Sequence, residues 1–210
     1  FQYNDSGLIN SGSGNDKISI KGNDFNGVVD LGTGVDSLKF KGDDSFVGVI
    51  SQGVADKVDL KGNQLTAVIE LEGTGASVNV KGSGLDVSVD SVGSGNTVNI
   101  TGDNADLDLE GVSLVNVKGI DANIDANNVD ALNLTGNANL ELVNSVVNAS
   151  KSSDVIEVSE ASNSKINLGK GNDSIILGET SNLLVDGGDG TDSWLVEKDT
   201  DLSDLDNLTK

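Results

Sequence analysis

The chain has no cysteine, histidine, proline or methionine, and all of its cations are lysine, so arginine is absent too. Without cysteine there is neither a disulfide nor a thiolate metal site. Without histidine, cysteine or arginine, and with no G-x-S-x-G nucleophile motif, the usual acid–base and nucleophilic machinery is missing, which argues against catalysis. Aromatic residues are only 3%. No apolar run reaches the length of a membrane span, and no signal peptide is visible. The chain opens at Phe1 rather than methionine, which reads as a piece excised or processed from something longer. Lack of cysteine is compatible with an exported bacterial protein.

Positive charge is scarce as well. Thirteen lysines stand against 34 acids, for a net charge of −21. That balance argues against nucleic acid as a partner, because such affinity comes mostly from cations on phosphates. It disfavours an anionic membrane surface for the same reason. Cations are the natural ligands of such a chain.

What is present is a repeat. A short strand with alternating apolar residues, followed by a Lys-Gly or Thr-Gly corner, returns about every twenty residues: KISIKG (17–22), SLKFKG (37–42), KVDLKG (57–62), SVNVKG (77–82), TVNITG (97–102), LVNVKG (114–119) and ALNLTG (131–136). Weaker copies follow as DVIEVS (154–159), SIILGE (174–179) and SWLVEK (193–198). A second set lies between them, from GVVDLG (27–32) to NLLVDG (182–187). A fixed period of this size marks a solenoid, in which each unit buries its apolar face only against the next. The expectation is an all-β fold: a single parallel β-solenoid of about ten coils with two parallel sheets, over residues 1–198, followed by a tail or cap at 199–210. Leu202, Leu205 and Leu208 recur every third residue in that tail and are compatible with one or two helical turns. The outward residues Ile176 and Leu195 suggest a covered face near that end.

Gly-rich turns precede four of the strands: SGSGNDKIS (11–19), LGTGVDSLK (31–39), LGKGNDSII (168–176) and GGDGTDSWL (187–195). Glycine lets backbone carbonyls turn toward a common point, and the aspartate adds a carboxylate. Aligned two positions before each inward strand residue stand Asp16, Asp36, Asp56, Ala76, Asn96, Ser113, Asp130, Asp154, Asp173 and Asp192. Stacked carboxylates repel, and a divalent cation reverses that sign. The alternative is that these aspartates only bond the local backbone in turns. The turns resemble the nonapeptide of repeats-in-toxin (RTX) proteins, which form a calcium-binding parallel β-roll. In RTX rolls the motif repeats every nine residues on both sides; here it occurs once per coil.

The resemblance implies Ca²⁺ between the turn of Gly12, Gly14 and Asp16 and that of Gly32, Gly34 and Asp36. It implies Ca²⁺ likewise between Gly169, Gly171 and Asp173 and Gly188, Gly190 and Asp192. Asp56, Asp130 and Asp154 lack the full glycine frame, and the central coils are expected to hold without metal. Two further columns stand out. Lys21, Lys41, Lys61 and Lys81 form either an anion or polysaccharide strip or, the reading favoured by sequence, stems covering a corner beside balancing aspartates. Asn79, Asn99, Asn116 and Asn133 read as a structural amide ladder.

Surface-layer proteins and type I-secreted adhesins contain similar segments, so the resemblance implies a non-enzymatic, calcium-stabilised module at the bacterial surface, folding outside the cell. Its partners would be copies of itself, other domains of the same long chain or cell-surface polysaccharide, without membrane insertion. The alternative is an accessory RTX module attached to a secreted enzyme or toxin. Ice binding is not expected, because the turn residues are too irregular.

Overall fold

The computed structural model describes residues 7–196 and the backbone of 208 and 209. It is an all-β parallel solenoid of about ten turns. One ladder stacks β2 (Lys17–Lys21), β4 (Ser37–Lys41), β6 (Lys57–Lys61), β8 (Ser77–Lys81), β10 (Thr97–Thr101), β12 (Leu114–Lys118), β14 (Leu132–Thr135) and β16 (Val146–Asn148). The other stacks β1 (Gly7–Asn10), β3 (Asn26–Asp30), β5 (Phe46–Ser51), β7 (Thr66–Leu71), β9 (Asp86–Ser91), β11 (Asp106–Glu110), β13 (Ala122–Asn127) and β15 (Ala138–Val143). Then β17 (Val155–Asn167) and β18 (Ser174–Asp186) each run through 13 residues and pair in both ladders, which makes the whole one 20-stranded sheet folded on itself. β19 (Ser193–Val196) ends the second ladder, and β20 (Leu208–Thr209) pairs with Val185 and Asp186 at the end of the first. Leu208 is therefore in an extended strand, not a helical turn; Leu202 and Leu205 lie outside the described residues.

The alternation read from sequence is what sets the two faces. In β6, Val58 and Leu60 are buried while Lys57 and Lys61 face water. Burying each such side chain contributes roughly 1.5–3 kcal/mol, and the inward Val, Ile and Leu of both ladders join into one continuous thin core. The corner after each early strand is glycine because the stack leaves no space for anything else. A Cβ at Gly62 would sit 1.8 Å from the Gly42 carbonyl oxygen, and one at Gly82 would sit 1.6 Å from that of Gly62.

An amide ladder runs along the first face. Asn79 Nδ2 donates to Asp59 Oδ1 at 2.9 Å, Asn99 to Asn79 at 3.0 Å, Asn116 to Asn99 at 2.8 Å and Asn133 to Asn116 at 2.8 Å. It continues beyond the residues read from sequence, through Asn148 (3.2 Å) to Asn167 (2.8 Å). Its steps also record how the coil length changes. They span 20 residues from Asn79 to Asn99, 17 to Asn116, 17 to Asn133, 15 to Asn148 and 19 to Asn167.

That contraction corrects one sequence-level assignment. Val147 of the three-residue β16 stacks on Leu132, and Ile166 stacks on Val147. The strand at 154–159 instead pairs with β15, Ile156 lying on Ala138, and the strands at 174–179 and 193–198 follow it. These last three copies therefore belong to the second ladder, not to the column of KISIKG. The short β16 supplies a strand that a twenty-residue period passes over.

Candidate metal sites

The column of turn aspartates is, as a result, two columns on opposite edges of the rod. The turns of Asp16 and Asp36 carry the chain from the second ladder into the first. Those of Asp173 and Asp192 carry it from the first ladder into the second. Within each pair the sequence-predicted residues do come together. Gly32 stacks on Gly12, where a Cβ would fall 1.8 Å from the Gly12 oxygen, and Gly34 stacks on Gly14 at 1.6 Å. Gly188 on Gly169 (2.0 Å) and Gly190 on Gly171 (1.5 Å) repeat the arrangement. Gly32 and Gly34 have φ of 66° and 144°, Gly188 and Gly190 of 80° and 148°, values that side chains resist.

The aspartates form hydrogen-bonded ladders of their own. The Asp16 N–H donates to Asp36 Oδ1 at 2.7 Å, and the Asp36 N–H to Asp56 Oδ1 at 2.8 Å. On the other edge the Asp154 N–H donates to Asp173 Oδ1 at 2.8 Å and the Asp173 N–H to Asp192 Oδ1 at 3.0 Å. One carboxylate oxygen thus serves the stack. The second oxygen is what separates the turns. Oδ2 of Asp16, Asp36 and Asp173 is buried with no hydrogen-bond partner. Oδ2 of Asp56 accepts the Ser51 hydroxyl at 2.7 Å, and Oδ2 of Asp154 accepts both the N–H and the hydroxyl of Ser150, at 3.1 and 2.8 Å.

The distinction follows the glycine frame. Asp16, Asp36 and Asp173 are Gly-framed; Asp56 and Asp154 are not. Five positions before Asp56 stands Ser51, whereas Leu31 and Leu168 occupy that place before Asp36 and Asp173. Before Asp16 the residue is Ser11, but its hydroxyl is turned to the Leu31 carbonyl at 2.6 Å. Asn96 shows what the local oxygens ask for. Its Oδ1 accepts the Ala76 N–H, and its Nδ2 donates to Ser91 Oγ and to the carbonyls of Gly73 and Gly93 at 3.0–3.2 Å. An amide supplies hydrogens there. A carboxylate at the same place has none to give: Asp56 is met there by the Ser51 hydroxyl, whereas Oδ2 of Asp16, Asp36 and Asp173 has no such donor.

Burial drives the Asp173 carboxyl above the ordinary carboxylate value. The Asp154 N–H pulls the other way, while the neighbouring charges of Asp154 and Asp192 add to the rise. Asp173 is only 1% exposed and Asp36 only 2%. The sequence reading missed Asp30 and Asp186, whose Oδ1 atoms accept the N–H of Gly32 (2.9 Å) and Gly188 (3.1 Å) and open the two Gly turns. Their signal was a shared spacing, six residues before Asp36 and Asp192. Asp130 is exposed.

Among the described residues, no three carboxylates converge closely enough to hold an ion by themselves. Any metal here would draw most of its ligands from backbone carbonyls, completed by the orphaned Oδ2 atoms. Such an all-oxygen set suits a hard cation, which takes six to eight oxygens. No family model, no curated protein and no solved structure matches the chain, so its sites are read from its own residues.

Proposed function

We propose that this chain is a calcium-stabilised, non-enzymatic structural module of an exported bacterial surface protein, a surface-layer or adhesin segment of RTX-like character. The observation that carries the reading is the coincidence of two independent features. The buried carboxylate oxygens without donors fall at Gly-framed turns, and at the unframed Asp56 and Asp154 serine satisfies the same oxygen. The residues that would hold Ca²⁺ are Asp16 and Asp36 with the carbonyls of their turns, and Asp173 and Asp192 with theirs. When bound, the ion neutralises these stacked carboxylates.

The two pairs lie near the two ends of the rod, on opposite edges, with the uninterrupted amide ladder between them. Each ion then fastens an end, where a solenoid coil has only one neighbour. Ligand that binds only the folded state adds about 2.7 kcal/mol per site at 100 times its Kd. At low cytosolic Ca²⁺ a chain of charge −21 lacks that contribution, and in a calcium-rich exterior it gains it.

Trp194, the sole tryptophan, gives a direct readout. It follows Asp192 by two residues, and its ring lies 3.4 Å from where a Cβ on Gly187 would be. Ca²⁺ titration followed by Trp194 fluorescence and by calorimetry should give saturable binding below millimolar Ca²⁺ and a rise in Tm. Asp192→Asn should abolish the fluorescence change while leaving binding at the Asp16–Asp36 pair. An unchanged spectrum together with an unchanged Tm would refute the reading.

A further inference from the structure

The two ladders differ in the charge they show to solvent. On the first, Lys21, Lys41, Lys61 and Lys81 stand in register, with Lys17, Lys39 and Lys57 on the same outward face. Its strands include only two acids, Asp59 and Asp186. The second ladder carries no lysine at any described position. There Asp108, Asp125, Glu141, Glu160 and Glu179 form one unbroken register column. Glu70, Asp90 and Glu110 form a shorter one beside it.

All four lysines of the first column and all five acids of the second are exposed. None of these lysines is in a close ion pair with a described carboxylate. Among the described residues the sole ion pair is Lys170–Asp189, which lies in a turn off both faces. Like charges one strand spacing apart repel. Burial and the nearby Asp108 charge push the Asp125 carboxyl above its ordinary value. Each face thus carries a row of like charge with no close ion pair among the described residues, and the two rows are of opposite sign. Both advance by the same step of about 4.8 Å, because both ride on stacked strands. A lysine row of one molecule therefore matches an acid row of another tooth for tooth.

We propose that the lysine face of one copy docks on the acidic face of a second copy, so that molecules stack side by side through unlike faces. Such a contact is heterologous, does not close on itself, and extends from copy to copy. The lysine column lies in β2 to β8, and the long acid column in β11 to β18. Docked copies are accordingly displaced along the rod, as in brickwork. The proposal rests on reading the chain as an assembling surface module, but not on its calcium.

The test is sedimentation of the whole chain with saturating Ca²⁺, in about 0.02 M and about 0.5 M NaCl, on either side of the ionic strength at which the screening length is about 8–10 Å. The wild-type chain should associate in the first and dissociate in the second. One variant carries Lys21→Glu, Lys41→Glu, Lys61→Glu and Lys81→Glu; another carries Glu141→Lys, Glu160→Lys and Glu179→Lys. Each alone should associate at least about tenfold more weakly, and an equimolar mixture should regain association, since one now has two acidic faces and the other gains a basic one. Circular dichroism checks that each is folded. Should a reversal unfold the chain, the Lys→Gln quartet reads the same contact.

The proposal is overturned by a wild-type chain that stays monomeric at low salt, by variants that associate as well as wild type, or by a mixture that stays apart. It is overturned as well if the lysine variant loses binding to a soluble polyuronate while the wild-type chain never self-associates, because the face then serves a polysaccharide. A chain that binds Ca²⁺ but never stacks refutes the docking alone. One that stacks without binding Ca²⁺ refutes the calcium reading alone.

Discussion

Replacing Asp36 with asparagine should change stability in opposite directions with and without calcium. The substitution keeps the shape of the side chain and keeps Oδ1 as acceptor for the Asp16 N–H at 2.7 Å. It converts the orphaned Oδ2 into a donor, the state already seen at Asn96. In a chelator, relieving a buried acceptor without a partner is worth about 1–3 kcal/mol. Repulsion between stacked carboxylates falls too, by on the order of 1 kcal/mol per pair in water. For a chain of this length about 2–4 °C of Tm accompanies each kcal/mol, so the relieved acceptor alone should raise the melting of the chelated variant by roughly 2–12 °C, and the relieved repulsion adds to that. In saturating Ca²⁺ the variant has lost a charged ligand and should melt below it. Asp56→Asn is the control. Ser51 already serves Asp56, and the Asn96–Ser91 pair shows that an amide fits there, so its effect should be equal under both conditions. Scanning calorimetry reads all four combinations. If Asp36→Asn shifts Tm with the same sign in chelator and in calcium, Oδ2 has no role in cation binding.

Two other outcomes follow from the same oxygens. The Asp173 carboxyl is raised above its ordinary value of 3.8 by burial, so between that value and the raised one the folded state holds the proton that the unfolded state has released. Stability of the chelated chain should then fall as pH climbs upward through that window, and saturating Ca²⁺ should reverse the slope because protons compete with the ion; denaturant titrations from pH 3 to 7 with and without Ca²⁺ measure it, and a chelated chain that gains stability with pH there contradicts the assignment. Ser51→Ala strips the donor from a carboxylate that is 0% exposed, and should cost about 1–3 kcal/mol in urea unfolding, whereas Ser13→Ala at an exposed turn position should cost little.

The strands were legible because alternation is a local property. Val58 and Leu60 face inward for the same reason wherever such a strand lies, and the glycine corners repeat because a Cβ there would run into the carbonyl of the coil before it. The pairing of the Gly-framed turns was legible too, since Asp16 with Asp36 and Asp173 with Asp192 are each one coil apart. The orphaned oxygens were not, because they depend on which neighbour supplies a donor. That choice turns on whether a serine stands in the turn and where its hydroxyl goes: Ser51 and Ser150 serve Asp56 and Asp154, Leu31 leaves Asp36 without a donor, and Ser11 beside Asp16 bonds the Leu31 carbonyl instead. The side of the rod was illegible for a deeper reason. A coil made of two strands and two turns has two edges, and a Gly-x-Gly-x-Asp turn leads into a strand of either ladder. Its sequence fixes the bend but not the edge. One uncounted strand, the three residues of β16, moves every later turn to the opposite edge without altering any of their sequences. The period in residues hides this, because coils shortened to 17 and 15 absorb the extra half-turn. Counting strands instead of residues reveals it. The functional consequence is that the two candidate ion pairs cannot form one continuous file of cations. On the proposed calcium reading each acts on its own end, and a variant that silences one pair should leave the binding of the other intact.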